Sequence, residues 1–475
     1  MSPPSRSPFD SRLLEGPIVR SLFVLAIPIM LANLLQVAYQ LIDAFWVGRL
    51  GADAVASISI SIPIMFVTIA AGMGFAIAGT TLIAQYVGAR DHAMVNHVAA
   101  QTLVTVTAVS VVVGVLGFVL SPYVLDLMGT TAHVRDNAIA FLRIMFVGMP
   151  FAFIYFMFQA LLRGIGEVKM PLYIVAGTVV LNFFSDPILI FGKLGFPAMG
   201  VMGAALSTLL SQGIATFIGL WLIMSGRYGI TLDRNSFKPD YAFIKRAFHL
   251  GYPASIEQSA RGFGMTVMTF LIASFGTIVT AAYGVGTNVI NVIVIPAMGF
   301  SMATATLVGQ NIGAGNIPRA EQVAHLAALI TFVTLSVVGL FCFIFAPQLV
   351  AFFVPGDMNV IREGAVFIHI AAWSFGFVGL QFALMGVLRA SGGTFAAMVI
   401  SLVSLWMVQF PTAFILSQHT LLQVNGLWWA FPITNVATCV IAGVWFARGD
   451  WKKGRLVARD ELEAEEQAVA DQVLI

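Results

Sequence analysis

Polar positions in this chain are sparse, and they fall between long apolar runs. Runs bounded by charged or Pro/Gly-rich breaks predict twelve helices, at 20–48, 57–84, 98–121, 136–162, 170–192, 200–225, 246–271, 280–308, 322–346, 361–388, 394–417 and 424–447. Each is about as long as the ~20 residues a helix needs to cross the hydrocarbon of a bilayer. The expected class is all-α and membrane-spanning.

Composition agrees with the pattern. Of 475 residues, 59% are hydrophobic and 10% are charged, where soluble domains carry roughly 25% charged residues. A net charge of +2 argues against a nucleic-acid partner. Cys342 and Cys439 both lie in apolar runs and match neither a disulfide framework nor a metal-ligand pattern. The opening "MSPPSRSPFDSRLLEG" has no short apolar core followed by a cleavage site, so the first apolar run is expected to stay in the membrane.

Charge then gives an orientation. With the N-terminus placed inside, 18 of the 24 basic residues fall inside and four (Arg49, Arg135, Lys193, Arg362) outside. The remaining two, Arg143 and Arg261, lie within spans. This bias predicts both termini in the cytoplasm. The longest polar interruption, "SGRYGITLDRNSFKPDYAFIKR", falls between the sixth and seventh spans. The expected organisation is a cytoplasmic N-terminus (1–19), a six-helix lobe (20–225), a cytoplasmic linker (226–245), a second six-helix lobe (246–448) and a cytoplasmic acidic tail (449–475).

The two halves repeat. "TLIAQYVGA" (81–89) returns as "TLVGQNIGA" (306–314), an offset of 225, and Pro28/Pro253 and Gly51/Gly276 keep the same offset. "LLRGIGE" (161–167) has a weaker partner in "VLRASGG" (387–393). Six spans separate equivalent positions, so the repeats are parallel about an axis along the membrane normal, an arrangement suited to alternating access.

Against this background three acids stand out. Asp43, Asp186 and Glu257 lie well inside spans, where carrying a charge costs at least ~2.5 kcal/mol. Asp43 lies six residues before Arg49, and Asp186 lies seven before Lys193. At about 1.5 Å per residue, both acids sit roughly 10 Å below the same boundary. Tyr39 and Asn182 precede them by one turn on the same faces. Thr208 lies at a similar depth in the sixth span. Carboxylate, amide and hydroxyl oxygens at one level suit a proton or a hard cation such as Na+. Glu257 has Arg261 four residues on, so an intrahelical pair is an alternative to a binding role.

At these residues a family resemblance appears. "QVAYQLIDAFWVGRLGADAVAS" (36–57), "LNFFSDPILIFG" (181–192) with "GVMGAALST" (200–208), and "GYPASIEQ" (251–258) resemble the multidrug and toxic compound extrusion (MATE) transporters over roughly 15–450. The resemblance implies twelve helices in two pseudo-symmetric six-helix bundles around a V-shaped cleft. It also implies export of drugs, organic amphipathic cations among them, in exchange for H+ or Na+. By position it implies a cation site at Asp43, Asn182, Asp186, Ala204 and Thr208, with Tyr39 beside it, and a helix bend at Pro28. Glu257 matches an acid of the second lobe in some members. The chain departs from members with an acid in the tenth helix, since "AAWSFGFVGLQFALMGV" (371–387) has none.

The resulting expectation is a multi-pass protein of the bacterial inner membrane and a monomer in contact with lipid. It would be an antiporter and not an enzyme, with no cofactor beyond the coupling ion. The alternative is a lipid-linked oligosaccharide flippase of the same superfamily, for which a strongly cationic cleft is expected. Only Arg143 and Arg261 fall inside spans.

Overall fold

A computed structural model describes residues 12–130, 132–232 and 234–457. Among them the chain forms helices and no strand. The first half contains α1 (Arg12–Glu15), α2 (Ile18–Gly48), α3 (Ala52–Gly88), α4 (His92–Leu127), α5 (Ala132–Val147), α6 (Met149–Ile165), α7 (Lys169–Phe191) and α8 (Val201–Met224). The second contains α9 (Tyr241–Ala273), α10 (Thr277–Gly313), α11 (Ile317–Ile344), α12 (Ala346–Phe353), α13 (Met358–Ala372), α14 (Phe375–Ala390), α15 (Thr394–Leu402), α16 (Phe410–Gln418) and α17 (Val424–Arg448).

Every apolar run is therefore a helix or a broken helix. Among the described residues nine helical segments are each long and apolar enough to cross a membrane, and two bent pairs bring the number to eleven. The remaining run is α9, which carries Lys245, Arg246, Glu257 and Arg261 and falls short of that apolar threshold.

Two runs expected to be single spans are bent, α5 against α6 by 48° and α13 against α14 by 53°. The first break falls at Gly148, with Pro150 opening α6. The second falls at Trp373 and Ser374, whose hydroxyl donates to the Ala371 carbonyl at 2.7 Å. Proline and residues that draw hydrogen bonds out of the ladder are ordinary causes of such kinks. The eleventh run changes pitch instead, with a π-helical stretch at Val403–Gln409 between α15 and α16.

The repeat holds in the backbone as well as in the sequence. Gly51 and Gly276, 225 apart, both precede a 37-residue helix, with φ of 110° and 103°. Asp91 and Asn316, also 225 apart, both cap a helix by accepting from the backbone N–H three residues on, at 3.0 and 3.2 Å. Such caps satisfy donors that have no partner within the helix.

The described chain divides into two compact units, Leu31–Ser259 and Arg12–Met30 with the chain from Ala260 onward. Helices α2 and α9 thus each contribute to both. In the first unit Phe75 meets Phe248 at 5.5 Å, and the Ser255 hydroxyl donates to the Ala71 carbonyl at 2.9 Å. Gly74 makes room there, since a Cβ would lie 2.6 Å from Ser255 Cα. In the second unit Phe300 meets Phe23, also at 5.5 Å, and Gly299 lies against Met30 and the Ala26 carbonyl. These pairings match residue for residue at the offset of 225. Small residues let helices approach closely where lipid offers no hydrophobic drive.

Candidate cation site

The candidate site belongs to the first unit and is built on one face each of α2, α7 and α8. Helical spacing sets those faces: Tyr39 and Asp43 on α2, Asn182, Ser185 and Asp186 on α7, and Ala204, Ser207, Thr208 and Ser211 on α8. Residues three and four apart share a face, and the α8 set runs i, i+3, i+4, i+7.

Asn182 and Asp186 are fully buried. The Asn182 Nδ2 donates to Asp186 Oδ1 at 3.0 Å and to the Ser207 hydroxyl at 3.2 Å. Ser207 and Ser185 share a short hydroxyl–hydroxyl hydrogen bond of 2.5 Å. Asp43 faces Asp186 and Asn182. The Tyr39 hydroxyl points toward Thr208 and Ser211, with both carboxylates close by. These last approaches stop short of hydrogen-bond geometry, so Asp43 Oδ1, Asp186 Oδ2, Asn182 Oδ1, the Tyr39 hydroxyl and Ser211 Oγ are all buried without a hydrogen-bond partner.

That concentration is the chemical signature of the site. An unsatisfied buried polar atom costs roughly 1–3 kcal/mol. Three of the five are acceptor-only oxygens, which cannot satisfy one another. A proton between the two carboxyls, or a small hard cation, would satisfy several together. The residues present therefore fit either ligand. Ala204 is buried on the same face one turn before Thr208 and brings only small size to it. One turn beyond Asp43, Trp46 packs at 6.1 Å from Phe183 and 6.2 Å from Phe191. The Arg49 guanidinium covers Trp46 at 5.2 Å. An aromatic and cationic collar thus lies beyond the acids.

The structure brings Tyr39, Asp43, Asn182, Asp186, Ala204 and Thr208 together, and it adds Ser185, Ser207 and Ser211, which sequence reasoning passed over. Serine is common in membrane helices, so only the i, i+4 spacing of Ser207 and Ser211 beside Ala204 and Thr208 could have marked them. The other sequence-predicted residues lie elsewhere. Pro28 stands within the unbroken α2, two residues before the chain leaves the second unit at Met30. Glu257 is fully buried near the end of the α9 segment that belongs to the first unit. Arg261, one turn on, belongs to the second unit, with its guanidinium 5.8 Å from the Phe382 ring.

The MatE family model matches residues 28–188 and 253–415. The two matched stretches begin at Pro28 and Pro253, in the register of the internal repeat. A probable multidrug resistance protein of Bacillus subtilis, YoeA, is 31% identical, covering 95% of this chain and 98% of its own. The Thermotoga maritima NorM, also named a probable multidrug resistance protein, is 27% identical over 94% of this chain and 97% of its own. Among solved structures, a MATE protein in complex with MaL6 superposes with a TM-score of 0.87 at 22% identity, covering 95% of this chain and 99% of that one. The Vibrio cholerae MATE transporter VcmN gives 0.84 at 21% identity, with 91% and 97% covered. The structural likeness shows a shared twelve-helix fold. Matched in both repeats, and close to a relative along nearly its whole length, this chain belongs to the MatE family.

Proposed function

We propose that this protein is a secondary active multidrug efflux antiporter, exchanging organic cationic amphipathic compounds for H+ or Na+ by alternating access. It works as a monomer in the bacterial inner membrane with both termini cytoplasmic. The names of its relatives support drug export, and the observation that carries the coupling is the set of unpaired acceptors on Asp43, Asp186 and Asn182.

The mechanism follows from charge. With the site empty, two carboxylates face each other in a poorly hydrated core, and each opposes ionisation of the other. A proton or Na+ taken from the side of higher concentration removes that repulsion. Asn182, held by Asp186 and Ser207, presents its carbonyl oxygen toward the same point. Tyr39, Thr208 and Ser211 supply hydroxyls able to donate or accept as the charge state changes. Release to the other side restores the repulsion, and the cycle is driven only by the ion's differential affinity for the two states. No bond is made or broken in the drug.

Purified protein in liposomes, loaded with a fluorescent organic cation under separate H+ and Na+ gradients, tests this reading. Wild type should export the dye under one gradient, and Asp43→Asn, an imitation of the permanently neutral acid, should not. Undiminished gradient-driven export by Asp43→Asn would make Asp43 structural. Glu257→Gln separates a role for Glu257 in binding organic cations from partnership with Arg261. A binding role predicts weaker export of cations than of neutral compounds. Lower folded yield, recovered by Glu257→Gln/Arg261→Gln with normal transport, would make the pair structural.

A further inference from the structure

Arg143 has no place in the coupling site, yet it occupies a costly position. It lies eleven residues into α5, about 16 Å along the helix from Ala132, and its side chain is exposed. Among the described residues it has no carboxylate partner, and its guanidinium stands 4.9 Å from the centroid of Phe118 on α4. Phe118 is itself nine residues, about 13 Å, from the end of α4 at Leu127. A cation at this depth normally finds a counter-charge or a lipid headgroup.

Two hollows of the first unit meet at that contact. The inner one, about 350 Å³, is walled by Val111, Val115, Phe118, Phe146 and Pro150 among others. It exists because α5 and α6 diverge by 48° and because Phe146 sits against Gly117, where any Cβ would run into its ring. The flanking α4 surface is open and apolar at Val112, Leu116 and Leu120, as expected of a face toward acyl chains. The outer hollow, about 480 Å³, is lined by Pro122, Arg135, Asp136, Ile139, Ala140 and Arg143.

The charges in the outer hollow are ordered by depth. At its rim Arg135 is bonded to Asp126 through Nε and, at 2.9 Å, through Nη2. Its Nη1 lies 3.8 Å from Asp136. One cation and two acids leave the rim net negative, while Arg143 below is positive. A bare anion matches only the lower part. A zwitterion with its phosphate inward and its cation outward matches both.

We propose that this groove holds one phospholipid with a primary-amine headgroup. Its phosphodiester lies on Arg143 and its ammonium on the Asp136 side of the rim. One acyl chain follows α4 past Phe118 toward Pro150. Arginine suits the phosphate because its planar fork donates to two oxygens at once. The site is separate from Asp43 and Asp186 and does not depend on the transport reading.

Native mass spectrometry of delipidated, detergent-purified protein tests it. The protein is titrated with phosphatidylethanolamine or phosphatidylglycerol of identical chains. One phosphatidylethanolamine should be retained in preference to phosphatidylglycerol. Arg143→Gln should weaken its retention about tenfold, the worth of a charge-assisted contact, and Arg143→Lys, which keeps the charge and loses the fork, should fall between wild type and Arg143→Gln. Asp136→Asn should erase the preference between the two lipids. Val115→Trp, at an open position, should fill the inner hollow and lower retention of both lipids, which keeps the test decisive if Arg143→Gln fails to fold. Equal retention of the two lipids by wild type, or unchanged retention in Arg143→Gln or Val115→Trp, would overturn the proposal.

Discussion

The two units share one fold, keep some equivalent positions and fill others with opposite chemistry. At the repeat offsets of 225 and 226, Tyr39, Asp43, Ala204 and Thr208 of the first unit correspond to Gly264, Met268, Ala430 and Thr434 of the second. Met268 is buried where Asp43 would stand. Gly264 leaves the place of the Tyr39 ring to Leu405, from the π-helical stretch. Thr434 turns its hydroxyl back to the Ala430 carbonyl at 2.7 Å. Nearby, the core of the second unit is aromatic: Trp428 lies 4.4 Å from Phe367 and stacks on Tyr283. Its indole N–H is satisfied by Glu363 at 2.9 Å. The second unit shows that this fold closes without buried acids at these positions. The fold itself therefore does not require acids at these positions, which is what the proposed coupling role of Asp43 and Asp186 would lead one to expect.

Breaking that asymmetry gives the largest expected effect. Asp43→Asn and Asp186→Asn should each lower gradient-driven dye export in liposomes at least about tenfold, because in the proposed cycle the ion's differential affinity for two states supplies the drive. Asp43→Met, which copies the second unit, should abolish transport equally while raising the unfolding temperature in detergent. The reverse exchange should fail structurally. Met268→Asp places a charge among apolar groups and should destabilise by about 2.5–3.5 kcal/mol, read as a loss of folded yield on size-exclusion chromatography.

Smaller effects sharpen the comparison. Trp428→Phe should cost about 1–3 kcal/mol by leaving Glu363 without its donor, with export per folded molecule unchanged. A matching loss of export in that variant would mean that the second unit also takes part in coupling. Tyr39→Phe should be milder still. Its hydroxyl is one of the buried groups without a hydrogen-bond partner, so removing it should not destabilise the fold and should leave the unfolding temperature in detergent equal or higher.

How much of this the sequence revealed depends on what hydropathy can report. The spans were legible because lipid demands apolar side chains over a fixed length. The repeat was legible because Pro28/Pro253 and the "TLIAQYVGA" and "TLVGQNIGA" segments keep their register. Asp43 and Asp186 were legible because a charge in an apolar run has few innocent explanations. The bends at Gly148 and Ser374 were not, since apolar residues continue through both. Ser185, Ser207 and Ser211 were hidden for a related reason: a membrane helix shows apolar residues alike to lipid and to its neighbours, so periodicity barely marks which face is inside. The π-helical turn at Val403–Gln409 left no signal of its own, because a change of pitch needs no change of composition.

The sharing of α2 and α9 between the units bears on ancestry. Residues 12–30 complete the second unit, and residues 241–259 complete the first, through equivalent pairs such as Phe23 with Phe300 and Phe248 with Phe75. A half-length progenitor built this way would have left its own Phe and Gly pair uncovered when alone. Two copies exchanging their first helices would have covered both. Duplication and fusion of one such gene would then preserve an exchange already made between two chains, and only afterwards would one copy be free to lose, or the other to gain, its acids.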